Sequence, residues 1–275
     1  KGGRHPIYLW KDGIPTADEP WPSVKEARAG TGPMIKADDM MEEAAMAYLR
    51  DPTRRDKPFA LCVGFVAPHF PFIVPEPYFS MYYPKHADLP DNPPGHLESL
   101  PEAAQRLRQA FGFEGYTDDE VRRARAAYYG LITYMDNKIG KLMDALEEQG
   151  LAENTVIIYT SDHGESLGEH GLWRKMNFYE HSARVPLQIS WPGVISGGQH
   201  FDGATSLVDV TATILDVAGV SGRDLEHLRL DGDSLLPLMR GVTSKWKDEA
   251  FTEHLAHGTD RARAMVRKGN WKLCY

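Results

Sequence analysis

Residues 117–160 constrain the fold most strongly. After Thr117-Asp118-Asp119-Glu120, the apolar residues Val121, Ala124, Tyr128, Leu131, Met135, Ile139, Leu142 and Leu146 recur at spacings of three and four. A stripe of that period lies along one side of an α-helix and has to face a core. The Thr and the Glu fit a capping box, in which each satisfies a backbone N–H that lacks an intrahelical partner. Gly150 supplies a left-handed stop. The pattern predicts a helix over Asp118–Gln149. Just beyond Asn154 comes Thr155-Val156-Ile157-Ile158-Tyr159-Thr160, β-branched and apolar, which predicts a buried strand. A long helix delivered directly into such a strand is a unit of a mostly parallel α/β sheet.

The flanking segments extend that picture. Lys57–Val66 is too apolar for a strand with one wet face, so it predicts a strand covered by helices on both sides. It ends at Ala67-Pro68-His69-Phe70-Pro71-Phe72, where two prolines exclude both helix and central strand. Upstream, residues 1–37 read as irregular with one short strand at Ile7–Trp10. A helix then follows, capped by Asp38 or Asp39, with Met40, Ala44, Ala47 and Tyr48 on its apolar face. Residues 73–116 form a long Pro-rich connection with a short helix at Pro101–Ala110, and loops of that length often serve as lids. Downstream the pattern predicts a strand at Val185–Ser190 and a helix at Leu207–Ala218, capped by Ser206 and stopped at Gly219. Asp248–His254 and Ala262–Tyr275, turning at Lys268-Gly269-Asn270, read as an antiparallel element.

Composition narrows the function classes. The 275 residues suffice for one large domain or one domain and part of another. With 31 basic against 39 acidic residues the net charge is -8, and the basic residues are dispersed, which argues against a nucleic-acid partner. No apolar run approaches the roughly eighteen residues of a membrane span, so no membrane partner is expected. Cys62 and Cys274 sit in apolar surroundings without metal-like spacing and read as two buried thiols. The chain opens at Lys1-Gly2-Gly3-Arg4 with no initiator Met and no signal-peptide pattern. The compartment is left open, with the cytoplasm favoured over a periplasmic or secreted location.

Open α/β sheets gather ligands at the carboxyl ends of their strands. Two such ends carry chemistry here: Ser161-Asp162-His163-Gly164 and Pro68-His69. A carboxylate and an imidazole side by side can hold one divalent cation if the backbone turns sharply, which Gly164 permits. The same two residues also read as a helix-capping Asp beside a part-exposed His. The stretch Gly164–Lys175 is dense in Gly, His and charge, yet Leu167, Leu172 and Trp173 interrupt it as anchors to a core.

The run SDHGESLGEHGLWRKMNFYEHSARVPL resembles the second signature region of the sulfatases, within the alkaline-phosphatase-like superfamily, and is close to choline-sulfatase-like and iduronate-sulfatase-like members. APHFPF, YYGLITYMDNKIGKLMDAL, SLVDVTATILDVAG and DGDSLLPLM fall in the family's order, so the resemblance covers roughly Pro58 to Tyr275. It implies a three-layer α/β/α, mostly parallel fold over residues 1–240, with the start of a smaller antiparallel subdomain at 241–275. It also implies that Asp162 and His163 are two ligands of a divalent metal. Calcium is usual in sulfatases, but many relatives carry Asn where His163 stands, and imidazole suits manganese better; magnesium is a further expectation. Lys175 is implied to contact a sulfate oxygen, and His69 to sit by the ester oxygen as hydrogen-bond donor or general acid. Lys175 also reads as a solvated charge, and His69 as packing against Phe70 and Phe72.

The resemblance further implies that His181 lines the substrate cleft and that Glu253, His254 and His257 approach it. His170 is expected to be structural, and Asp136 a buried hydrogen-bonding residue. The resemblance also implies a formylglycine made within C/S-x-P-x-R, together with an Asp-Asp metal pair on the family's first strand; neither is found in this sequence. The expectation is therefore a C-terminal part of a sulfatase, without its nucleophile, whose parent hydrolyses a small-molecule sulfate ester. Homo-oligomerisation is left open. A phosphonate monoester or phosphodiester hydrolase, and a non-catalytic binding domain that keeps the fold, are the alternatives. Asp162, His163, Lys175 and His69 are expected to face one cavity.

Overall fold

In the computed structural model, the described residues are 9–11, 14–16, 24–54, 57–220, 227–255 and 261–275. The expectations for Ile7 and His257 lie outside them. Helices and strands are interspersed along the chain, which is α/β, and they group into two compact units.

The first unit comprises residues 1–153 and 165–175. Strands β1 (Leu9–Lys11) and β2 (Ile14–Thr16) form an antiparallel hairpin. Then come β3 (Arg28–Ala29), α1 (Pro33–Arg50), β4 (Ile73–Val74), α2 (Glu76–Ser80), α3 (Glu102–Ala110) and α4 (Asp118–Glu148). β3 and β4 pair in parallel. α4 starts as its sequence predicts: Thr117 Oγ1 accepts from Glu120 N at 3.2 Å, and the Glu120 carboxylate accepts from Thr117 N at 2.9 Å. Gly150 follows at φ 67°. Ala124, Leu131 and Leu146 of the predicted stripe are buried. Gly130 lets α2 approach closely, because a Cβ there would lie 2.8 Å from the Tyr78 carbonyl oxygen.

Several expectations are corrected, most of them in this unit. Helix α1 begins at Pro33, behind Gly32, where proline's missing N–H costs nothing. It buries Ile35, Ala45 and Leu49, while Met40 and Ala44 are exposed. Asp38 is not a cap: it is wholly enclosed, and its carboxylate accepts from Val66 N at 2.6 Å and Ala67 N at 3.0 Å. Residues 57–66 form no strand. Apolar composition signals burial, but a strand needs a neighbour for its ladder, and none of the described residues pairs with this run, whose Leu61 and Val66 are exposed. Both cysteines are exposed thiols rather than buried ones, and Asp136 is exposed rather than buried.

The second unit comprises residues 154–164 and 176–275. It holds β5 (Ile157–Thr160), α5 (Glu180–Ala183), β6 (Leu187–Ser190), α6 (Leu207–Val217), α7 (Leu236–Met239), β7 (Glu249–His254), β8 (Arg263–Lys268) and β9 (Trp271–Cys274). β5 and β6 run antiparallel, from Ile157 opposite Ser190 to Thr160 opposite Leu187. Among the described residues the parallel register is therefore carried by β3 and β4 alone. α6 opens where Asp209 Oδ2 accepts from Ser206 N at 2.7 Å and closes before Gly219 at φ 75°. β7, β8 and β9 form the expected antiparallel meander, turning at Gly269 with φ 52°. No helix among the described residues is long and apolar enough to cross a membrane.

Candidate active site

His69 lies in the first unit, between two cis X-Pro bonds, Ala67-Pro68 and Phe70-Pro71. Its N–H donates to Val66 O at 2.9 Å, and Asp38 ties down the two residues just ahead. The ring's Nδ1 is 2.7 Å from the Phe70 carbonyl oxygen. A carbonyl only accepts, so the proton sits on Nδ1, and the neutral ring is basic at Nε2. That Nε2 is 2.8 Å from Lys175 Nζ. The imidazole also stacks on Phe70, centroids 4.2 Å apart, so the packing role open from the sequence coexists with the polar one.

Lys175 ends a loop held by its own backbone. Ser166 N donates to Arg174 O at 2.8 Å and Gly168 N to Leu172 O at 2.7 Å. Leu167, Leu172 and Trp173 are buried, the anchoring expected of them. Arg125, from α4, is enclosed and donates to Leu167 O at 2.8 Å, to Glu169 Oε1 at 3.1 Å and to Asp88 Oδ2 at 2.9 Å. His170 is at φ 56°, its Nδ1 2.8 Å from His96 Nε2, a contact that ties the loop to the Pro-rich connection. Glu165 Oε1 accepts from the backbone N–H groups of Leu167, at 3.3 Å, and of Arg174. Burial pushes its carboxyl up to about 7, against the lowering pull of those donors and of the Arg174 and Lys175 cations.

In the second unit, Asp162 and His163 follow β5 directly. Asp162 Oδ2 and His163 Nε2 are 3.6 Å apart, with the Asp side chain 85% exposed and the His 31%. His163 Nδ1 faces the Gly164 carbonyl at 2.8 Å, which again puts the proton on Nδ1 and makes Nε2 the basic nitrogen. Two donors at that separation fit one divalent cation, since metal–ligand bonds run from about 2.0 to 2.6 Å. Among the described residues there is no cluster of three or more His, Cys, Asp or Glu donors able to hold a metal.

Gly164 serves this turn differently from the sequence reading. Its φ is not left-handed; instead a Cβ would fall 2.0 Å from the His181 carbonyl oxygen, and its N–H donates to Ser182 O at 2.8 Å. The backbone of His181 thus packs on the turn after Asp162-His163, while its side chain is exposed. Lys272 bonds Phe178 O at 2.8 Å and also the Glu180 carboxylate, which fixes α5. Glu253 is exposed; His254 meets Phe178 edge to face, centroids 6.3 Å apart.

Sequence reasoning missed Asp38, Arg125, Glu165 and Arg174 as supports, and read Phe70 only as a packing partner of His69.

Comparison with known proteins places the chain in a family. The family model described as sulfatase matches residues 13–220, and that described as N-sulphoglucosamine sulphohydrolase, C-terminal, matches 168–275. A choline-sulfatase of Rhizobium meliloti is 38% identical over 229 residues, 82% of this chain and 43% of that protein. An arylsulfatase of Clostridium perfringens is also 38% identical, over 80% of this chain and 44% of that protein. The chain thus spans less than half the length of these curated relatives. The solved structure of a phosphonate monoester hydrolase from Silicibacter pomeroyi matches with a TM-score of 0.72 at 27% identity, covering 89% of this chain and 51% of that one. With a family model matched over most of its length, the chain belongs to the sulfatase family of the alkaline-phosphatase-like superfamily.

Proposed function

We propose that the protein carrying this chain hydrolyses sulfate esters, with Lys175 and His69 acting on the ester and Asp162 and His163 holding a divalent cation. The observation that carries the proposal is the 2.8 Å contact between Lys175 Nζ and His69 Nε2, made by residues 106 positions apart.

The bond shares a proton: a neutral His69 accepts at Nε2 from the Lys175 ammonium. An anionic sulfate changes that balance. Its oxygens accept from Lys175, and its negative charge stabilises a second proton on the pair, now on His69 Nε2. When the sulfur–oxygen ester bond breaks, its electron pair goes to the departing oxygen. That oxygen takes the Nε2 proton and leaves as alcohol. Water supplies the remaining oxygen and two protons, one kept on hydrogen sulfate and one returned to His69 Nε2, so the net products are an alcohol and hydrogen sulfate. The attacking oxygen is assigned by resemblance to the hydrate of a formylglycine, whose C/S-x-P-x-R motif is not in these 275 residues.

Asp162 and His163 would hold the cation, which when bound neutralises charge on the sulfate oxygens. Calcium is proposed from the family habit, and manganese as its rival from the imidazole. The bond from His163 Nδ1 to Gly164 O keeps Nε2 basic whichever metal binds. The substrate is proposed to be a small-molecule sulfate ester. A small charged alcohol is suggested by the likeness of residues 253–275 to choline-sulfatase-like enzymes.

A phosphonate monoester hydrolase is the second reading, favoured by the match to the Silicibacter pomeroyi structure. Assay of the full-length protein on paired aryl sulfate, phosphodiester and phosphonate esters separates the two. Higher kcat/KM for the sulfate supports the proposal; a strong preference for the phosphorus esters overturns it.

A further inference from the structure

We infer that Arg174 and Phe70 are positioning residues that hold the His69 imidazole against Lys175. The contacts close a ring. Lys175 Nζ meets His69 Nε2 at 2.8 Å, and the His69 ring stacks on Phe70 with centroids 4.2 Å apart and planes 29° from parallel. The Arg174 guanidinium carbon lies over the Phe70 ring, 4.1 Å from its centroid, and Arg174 is joined to Lys175 by the peptide bond.

The physical need for such a ring comes from the imidazole. Its outer torsion is broad and roughly two-fold, so a loosely held ring exchanges which nitrogen faces a partner. The bond from Nδ1 to Phe70 O and the stack on the Phe70 side chain come from one residue, so fixing Phe70 fixes both. Arg174 fixes Phe70 directionally, because a cation is attracted to a ring's face rather than its edge. An aliphatic side chain would fill the same space without that direction.

Arg174 is itself held more firmly than packing requires. It is only 8% exposed, and Phe111 and Phe113, stacked 5.5 Å apart after α3, approach its guanidinium to 5.9 Å each. Its N–H donates to the Glu165 carboxylate and its carbonyl accepts from Ser166 N at 2.8 Å. Arg174 at φ 68° and Met176 at φ 79° are left-handed residues flanking Lys175. Non-glycine residues keep that conformation where their surroundings over-determine it, and such residues cluster at functional sites.

The inference concerns the pair on which the proposed function rests, so its test has one readout that needs no substrate. Long-range 1H–15N spectra of the full-length protein report the His69 tautomer. Wild type should show the proton on Nδ1; R174A and F70L should show a mixture of tautomers, and F70Y, which keeps the ring, should restore the wild-type pattern. On an aryl sulfate, R174A and F70L should each lower kcat about 100-fold with KM little changed, the loss expected when a reacting group is misplaced by about 1 Å. The double variant should be no worse than either single one, since both break the same ring. Wild-type tautomer and kcat in both R174A and F70L would overturn the inference, as would an F70Y no better than F70L. If R174A does not fold, the F70L and F70Y pair decides. If the wild type hydrolyses no sulfate ester, the proposed function fails while the spectra still decide this inference.

Discussion

Lys175 Nζ and His69 Nε2 share one hydrogen bond of 2.8 Å, and the other nitrogen of the same imidazole is committed to the Phe70 carbonyl at 2.7 Å. The pair is thereby arranged to hold one proton between its two members, and an anion is what allows it to hold two.

Removing a proposed metal donor should remove the metal's effect on stability. A cation at a hundred times its dissociation constant stabilises a folded protein by about 2.7 kcal/mol. Calorimetric melts of the full-length protein with and without calcium or manganese should show that shift in wild type and lose most of it in Asp162→Ala. Replacing His163 with Asn should weaken the response to manganese more than the response to calcium.

Gly164 should tolerate no side chain. A Cβ would lie 2.0 Å from the His181 carbonyl oxygen, so Gly164→Ala has to displace backbone. Overpacking of this kind costs about 1–3 kcal/mol. Denaturant titration should find that loss, together with weaker metal binding at the adjacent His163.

The Glu165 carboxyl gives stability a sign with pH. Burial raises it from 4.5 to about 7, so the native state binds a proton that the unfolded state has released. Its stabilising contribution is complete below pH 4.5 and is lost as pH rises through about 7. Glu165→Gln keeps an oxygen for the N–H groups of Leu167 and Arg174 but cannot ionise. Melting temperature should therefore fall less between pH 5 and 8 in the variant than in wild type; parallel curves would contradict this.

Arg125 should be costly to truncate. It is enclosed, and it serves Leu167 O, Glu169 and Asp88 at once. Breaking a buried pair by removing one partner destabilises by about 3–5 kcal/mol, discounted here because Asp88 is largely exposed. Arg125→Met, measured by chemical denaturation, should lie toward the low end of that range.

Helix α4 was legible because its period, its capping box and its stop are all local, and the same holds for α6 and the β8–β9 turn. Asp38 was misread because the groups that claim its carboxylate are 28 and 29 residues away. Residues 57–66 were misread because apolar composition does not reveal whether a strand has a neighbour. Gly164 was read as a turn glycine, whereas the backbone of His181 is what excludes a side chain there. Asp162 and His163 were legible as donor types after a strand, β5. The Lys175–His69 bond and its ring through Phe70 and Arg174 were not, because no local pattern links residues so far apart in the chain.

The central claim, that His69 protonates the departing oxygen while Lys175 holds the sulfate, is tested most directly by leaving-group dependence in the full-length protein. His69→Ala should lower kcat/KM by about 10²–10⁴ on alkyl sulfates, whose alkoxides need a proton, and far less on 4-nitrophenyl sulfate, whose phenolate leaves without one. Lys175→Ala should depress both substrates alike. Equal losses on the two substrates in His69→Ala would contradict the account.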